Sequence, residues 1–115
     1  MTTLYGIPNC ATVKKARAWL GEKQVPHAFV NFKTAAPAPE QLARWLDAVG
    51  ADVLINRKGT TWRKLAPAEQ AAAGSREGAL ALMQAQPSVI KRPVLEHQGR
   101  VHIGFSPERY FEIFA

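Results

Sequence analysis

"TTLYGIPNCATVKKARAWLGEKQVPHAFVNF" runs from Thr2 to Phe32, and how it divides decides the fold. Thr2 to Ile7 is rich in β-branched and aromatic residues and is followed by Pro8, the pattern of a short strand. Val13, Ala16 and Leu20 then recur at i, i+3 and i+7, with Ala18 and Trp19 beside them. That spacing predicts an amphipathic helix from about Thr12 to Lys23, with Thr12 or Cys10 near its cap and Pro26 barring any extension. His27 to Phe32 carries Phe and Val and reads as a second strand. Two strands joined by a helix form a β-α-β unit, whose strands are expected to be parallel with a right-handed crossover.

Working outward, "KTAAPAP" is a loop, and Pro39 suits the first position of a helix whose stripe is Leu42, Trp45, Leu46 and Val49. Gly50 is a C-cap candidate. Val53, Leu54 and Ile55 make a short apolar patch before "NRKGTTWRKL". Pro67 to Ala73 allows another helical piece, and Ser75 reads as the N-cap of a helix reaching Gln86. "SVIKRPVLEH" and "RVHIGF" read as two strands around a turn at Gln98 and Gly99. Pro93 falls inside the first of them, which requires a bulge, an edge or a cis bond. Ser106-Pro107-Glu108 starts a last helix docked by Tyr110, Phe111 and Phe114. The order is β-α-β, then helices, then β-β-α. The expectation is one α/β domain over residues 1–115 with a helical insertion at about residues 33–86.

The chain has 115 residues, 47% of them apolar and 21% charged, as a single soluble domain would. No apolar run is long enough to span a bilayer, so no membrane association is expected. "MTTLYGIPNC" lacks the basic and apolar regions of a signal peptide. With one cysteine and no export signal, the expected compartment is the cytosol, where a lone thiol stays reduced.

The formal charge is +6. Nine of the fifteen basic residues fall in three windows free of acids. These are Lys14, Lys15 and Arg17; Arg57, Lys58, Arg63 and Lys64; and Lys91 with Arg92. The pattern suits convergence on one anion better than a nucleic-acid surface, and nucleic acid is not an expected partner. The plain alternative is a set of solvated loops.

Cys10 is the residue with the most chemistry to offer. A thiol is nucleophilic only as thiolate, and a helix N-terminus or nearby cations lower its pKa. Cys10 precedes the predicted helix, and Lys14 lies one turn on. Position alone leaves a buried structural cysteine as the alternative. Arg57 and Arg92 carry the planar fork that suits carboxylates and oxyanions, although either can equally be a solvated surface residue. His27, His97 and His102 lack metal-ligand spacing, so no metal site is expected. No glycine-rich phosphate loop occurs. Val13 occupies the place a second cysteine would need, so no dithiol cycle can run within the chain.

"YGIPNCATVKKARAWL", "INRKGTTWRKL", "VIKRPVL" and "IGFSPERYFEIF" together resemble the ArsC-like arsenate reductase family, which also holds the Spx regulators, and most of all its YffB branch. The likeness covers nearly the whole chain in the right order. It implies a thioredoxin-like, glutaredoxin-type fold with a four-stranded mixed sheet, and it makes Pro93 a cis-proline beside the active cysteine. It matches Cys10 to the nucleophile, and Arg57 and Arg92 to two oxyanion arginines. Three family positions differ: Gly6 replaces a histidine, Lys14 an arginine, and Ser106 a third arginine. These departures weaken thiol activation and tetrahedral oxyanion binding, so arsenate turnover is expected to be weak or absent.

The function implied is that of a glutathione-dependent thiol reductase. Catalytic candidates are Cys10, Lys14, Arg57 and Arg92. Candidates for holding glutathione are Asn9, Arg63, Lys91 and Pro93. No tightly bound cofactor is expected; glutathione would be the cosubstrate, with glutaredoxin a candidate partner. The alternative implied is an Spx-like regulator that binds the RNA polymerase α subunit.

Overall fold

The computed structural model describes all 115 residues, which form two compact units, residues 1–35 with 92–115 and residues 36–91. The first unit holds the sheet. Strand β1 (Thr2–Gly6) is followed by helix α1 (Ala11–Glu22) and strand β2 (Ala28–Asn31). After the second unit come β3 (Val94–His97), β4 (Arg100–Ile103) and a terminal helix, Pro107–Ile113. The strand order is β2-β1-β3-β4. β1 pairs with β2 in parallel, and β3 is antiparallel to both β1 and β4. This is the mixed four-stranded α/β thioredoxin-like fold that the family resemblance implies, and it agrees with the element order read from the sequence.

The register sorts the side chains. Leu4 stands opposite Leu95 and beside Phe29, so these three share a face. That face forms the core with Ala16 and Leu20 of α1 and Tyr110 of the terminal helix, all fully buried. Burial of a Leu or Tyr side chain contributes about 2 kcal/mol. Trp19 meets Tyr110 edge-on at 5.6 Å, and Phe105 does so at 4.6 Å. Gln98 and Gly99 both have positive φ, 51° and 77°, as a two-residue hairpin turn requires.

The second unit contains α2 (Pro39–Val49), α3 (Ala51–Leu54), α4 (Thr60–Arg63), α5 (Pro67–Ala72) and α6 (Arg76–Ala85), then a 3-10 turn at Pro87–Val89. The terminal helix is therefore α7. Leu42, Trp45 and Leu46 of α2 are buried, as are Ala79, Leu82 and Met83 of α6. α2 and α6 pack together, and Arg76 makes a two-pronged pair with Asp47 between them at 3.0 Å. Ser75 caps α6, accepting from the Gly78 N–H at 3.0 Å.

Thr60–Arg63 forms one helical turn within "NRKGTTWRKL". One local expectation changes. Ser88 to His97 is not one strand; only Val94–His97 is. The segment before it belongs to the second unit, which begins at Ala36 and ends at Lys91. Ile90 makes a single antiparallel bridge to Ile55. Around it the Asn56 N–H donates to the Val89 carbonyl and the Lys91 N–H to the Leu54 carbonyl, both at 2.8 Å. Pro87 and Pro93 frame this stretch and cannot donate to a ladder, which confines it to that bridge. No helix is long and apolar enough to cross a membrane.

Candidate active site

The chain leaves β1 through a tight turn, Ile7-Pro8-Asn9-Cys10. The Cys10 N–H donates to the Ile7 carbonyl at 3.3 Å, and proline suits the second turn position because its φ is preset. Cys10 is then the N-cap of α1, extended at φ −88° and ψ 128°. Its own carbonyl takes the first helical hydrogen bond, from the Lys14 N–H at 2.9 Å. The only cysteine is thereby pinned through both its backbone groups where the helix leaves N–H groups unpaired.

Cys10 is partly exposed. Burial, the largest single influence, pushes its thiol up, but the Val13 and Thr12 N–H groups and the Arg92 guanidinium together hold it below the ordinary value. The neutral thiol makes no capping hydrogen bond of good geometry; the amides act chiefly on the anion, as helix N-termini do. The first turn of α1 contains no acid to oppose it.

Arg92 comes from the other end of the unit. It is half-buried, and the Arg92–Pro93 bond is cis. Pro93 is buried, and its carbonyl accepts from the Gly104 N–H at 2.8 Å. This bond and β3 both follow Arg92 in the chain and fix the Pro93 end of the segment that carries it. A second signal lies at Gly6. A Cβ built there would stand 2.7 Å from Cγ2 of Val13, whose side chain is fully buried.

The other candidates lie as follows. Asn9 is exposed in the turn before Cys10. Lys14 is exposed, and the cation that shifts the thiol is Arg92. Arg17 stacks over the Phe29 ring at 4.2 Å. Arg57, Arg63 and Lys91 are exposed residues of the second unit. Arg57 there pairs with Asp52 at 2.8 Å and lies over the Trp62 ring at 5.6 Å. Ser106 caps α7, accepting from the Arg109 N–H at 3.2 Å. The Thr12 and Val13 amides and the Gly6–Val13 fit escape a reading by residue type, because backbone groups and a missing side chain carry no chemical label. A glycine closing a strand just ahead of a cysteine was the available clue. No three His, Cys, Asp or Glu side chains gather as metal ligands would.

The ArsC family model matches residues 5–113. A solved structure of a YffB protein superposes with a TM-score of 0.95 at 45% identity, covering all of both chains. An uncharacterised protein of Haemophilus influenzae is 35% identical over 117 residues, the full length of each. The global transcriptional regulator Spx of Listeria innocua is 27% identical across 94% of this chain and 82% of its own.

Proposed function

Since the chain belongs to the ArsC family, we propose that it is a glutathione-dependent thiol reductase with Cys10 as its single nucleophile. The observation that carries this reading is the thiol at the N-cap of α1, with the Val13 and Thr12 amides and Arg92 favouring its anion. The Cys10 thiolate attacks the glutathione sulfur of a mixed disulfide. The S–S bond to the substrate breaks, and the substrate leaves as thiolate and takes a proton from water. Cys10 is left joined to glutathione. The thiolate of a second glutathione attacks that bound glutathione sulfur, giving oxidised glutathione and restoring the Cys10 thiolate. Overall, one free glutathione is oxidised as the substrate sulfur is reduced: the mixed disulfide and glutathione become the substrate thiol and oxidised glutathione.

With Val13 where a resolving thiol would sit, the second thiol comes from solution. Arg92 is the first candidate to hold a glutathione carboxylate. Asn9, Lys14 and cis Pro93 border the same helix start or the same arginine in sequence. Arg57 keeps the anion-holding role that the family likeness suggests, and Arg63 and Lys91 stay lesser candidates for holding glutathione. Gly6, Lys14 and Ser106 leave this chain without a histidine and two arginines expected of an arsenate reductase, so arsenate turnover should be weak or absent. The reading sets the protein in the cytosol, where its lone thiol stays reduced.

Incubation with oxidised glutathione followed by intact-mass measurement tests this. One glutathione should add to the native chain and none to Cys10→Ser. An unmodified native chain, alkylated no faster than a free thiol at neutral pH, overturns it.

A second reading, a partner of the RNA polymerase α subunit, is favoured by the likeness to Spx. Retention on immobilised α subunit that survives Cys10→Ser would select it.

A further inference from the structure

We infer that Gly6 and Val13 form a steric spacer that sets how close the first turn of α1 lies to Cys10, which makes both of them positioning residues for the thiol. The inference rests on the proposed role of Cys10 as a thiolate nucleophile.

Gly6 closes β1 and is buried. Its φ lies outside the left-handed region, so the backbone alone would accept any L residue there. Space does not. The built Cβ meets Val13 Cγ2 at 2.7 Å, Cγ1 at 3.4 Å and Cβ at 3.7 Å. Val13 cannot turn aside easily, because a β-branched side chain in a helix has one strongly preferred rotamer. It is also fully buried, and packed interiors transmit such strain rather than absorb it.

Three constraints then act on a segment of eight residues, 6–13. The Gly6 carbonyl accepts from the Phe32 N–H at 2.8 Å, which ties the strand end to the sheet. The Ile7–Cys10 turn fixes the chain reversal. The Gly6–Val13 contact fixes how near the helix returns to the strand. Val13 serves twice, since its side chain is the buried stop while its N–H is one of the two amides that favour the Cys10 thiolate. A methyl group at position 6 has to drive Val13 outward, and the amide moves with it.

The test measures alkylation rate against pH for the native chain, Gly6→Ala, Val13→Ala and the double variant, with thermal melts on the same samples. Gly6→Ala should move the midpoint of the alkylation profile up and slow the reaction at pH 7 roughly fivefold, the size of one lost hydrogen bond. The double variant should recover the native midpoint, because the two methyl carbons would stand in ordinary contact at the 3.7 Å now separating the built Cβ from Val13 Cβ. Val13→Ala alone should lower the melting temperature and move the midpoint away from the native value, because the stop that sets the amide's place is gone; an unmoved midpoint there would also overturn the inference. A Gly6→Ala protein that melts earlier but titrates as the native chain does would show mere packing and overturn the inference. So would a double variant no closer to native than Gly6→Ala. Glutathione adduct formation, read on the same samples, keeps the two claims apart. A native chain that forms no adduct defeats the reductase reading, while the four profiles still decide the spacer.

Discussion

Replacing Arg92 by glutamine removes one cation from beside Cys10 and keeps a side chain of similar reach. The thiol is held down by two backbone amides first and by Arg92 after them, against burial that pushes it up. Arg92→Gln should therefore weaken the thiolate without abolishing it. A charge-assisted hydrogen bond is worth about 2 kcal/mol; discounted for a partly exposed sulfur it falls to roughly 1 kcal/mol, or about fivefold in thiolate at neutral pH. Iodoacetamide alkylation followed from acid to alkaline pH reads this directly. The midpoint should rise, the rate at pH 7 should fall by that factor, and the alkaline plateau should be unchanged.

A stability measurement gives the same answer by another route. The folded thiol ionises more readily than the unfolded one, whose ordinary value is 9.0. Between the two values the unfolded chain carries more protons, so unfolding free energy rises with pH across the window just beneath 9.0. The stabilisation is complete above the unfolded value and lost as pH falls through the folded one. Arg92→Gln should narrow that window and Cys10→Ser should remove it, as urea melts at stepped pH would show. Unchanged midpoints and an unchanged slope in Arg92→Gln would refute the electrostatic reasoning, leaving the amides as the sole source of the shift.

Tyr110 is fully buried and its hydroxyl has no hydrogen-bond partner, so Tyr110→Phe should stabilise the fold by about 1 kcal/mol in urea melts; a loss of stability would reveal a partner for that oxygen. His97 and His102 resist protonation, the first through burial and then the N-terminal amine, the second through burial and then Arg109, His97 and Arg100. Stability should accordingly fall as pH drops below 6.5, where the unfolded histidines take up protons first. Paired His→Gln variants should flatten that fall in acid melts.

Elements with a strong period were legible in the sequence. The stripe Val13, Ala16, Leu20 became the buried face of α1, and Pro39 and Gly50 bound α2 as their backbone preferences require. Ser75 and Ser106 cap their helices. What misled was apolar content without period. Val89 and Ile90 are as β-prone as any strand residue, yet they form a 3-10 turn and a lone bridge. Between Pro87 and Pro93 no continuous ladder can form, and the positions of two prolines outweighed the preferences of the residues between them. Thr60–Arg63 left nothing to read, since a single helical turn is too short to leave a periodic trace.

The candidate site divides along a different line. Cys10 and Arg92 were legible because thiols and guanidinium groups announce their chemistry by type. Choosing among the arginines was not possible from type, because a sequence does not record what already occupies each one. Arg17 lies on Phe29, Arg76 on Asp47, Arg57 on Asp52 and Arg109 on the Ile103 carbonyl. Each of these guanidinium groups has company elsewhere, and a charge so engaged costs that contact when it turns to a ligand. The three basic windows that look alike on paper are therefore unequal in kind. Arg92 already acts on the sulfur in the absence of ligand, whereas Arg57 must first give up an exposed carboxylate at 2.8 Å, which is worth at most about 1 kcal/mol. Pre-organisation makes Arg92 matter to the resting thiol. Arg57→Gln should register in the affinity for the anion and leave the alkylation profile of Cys10 where it was.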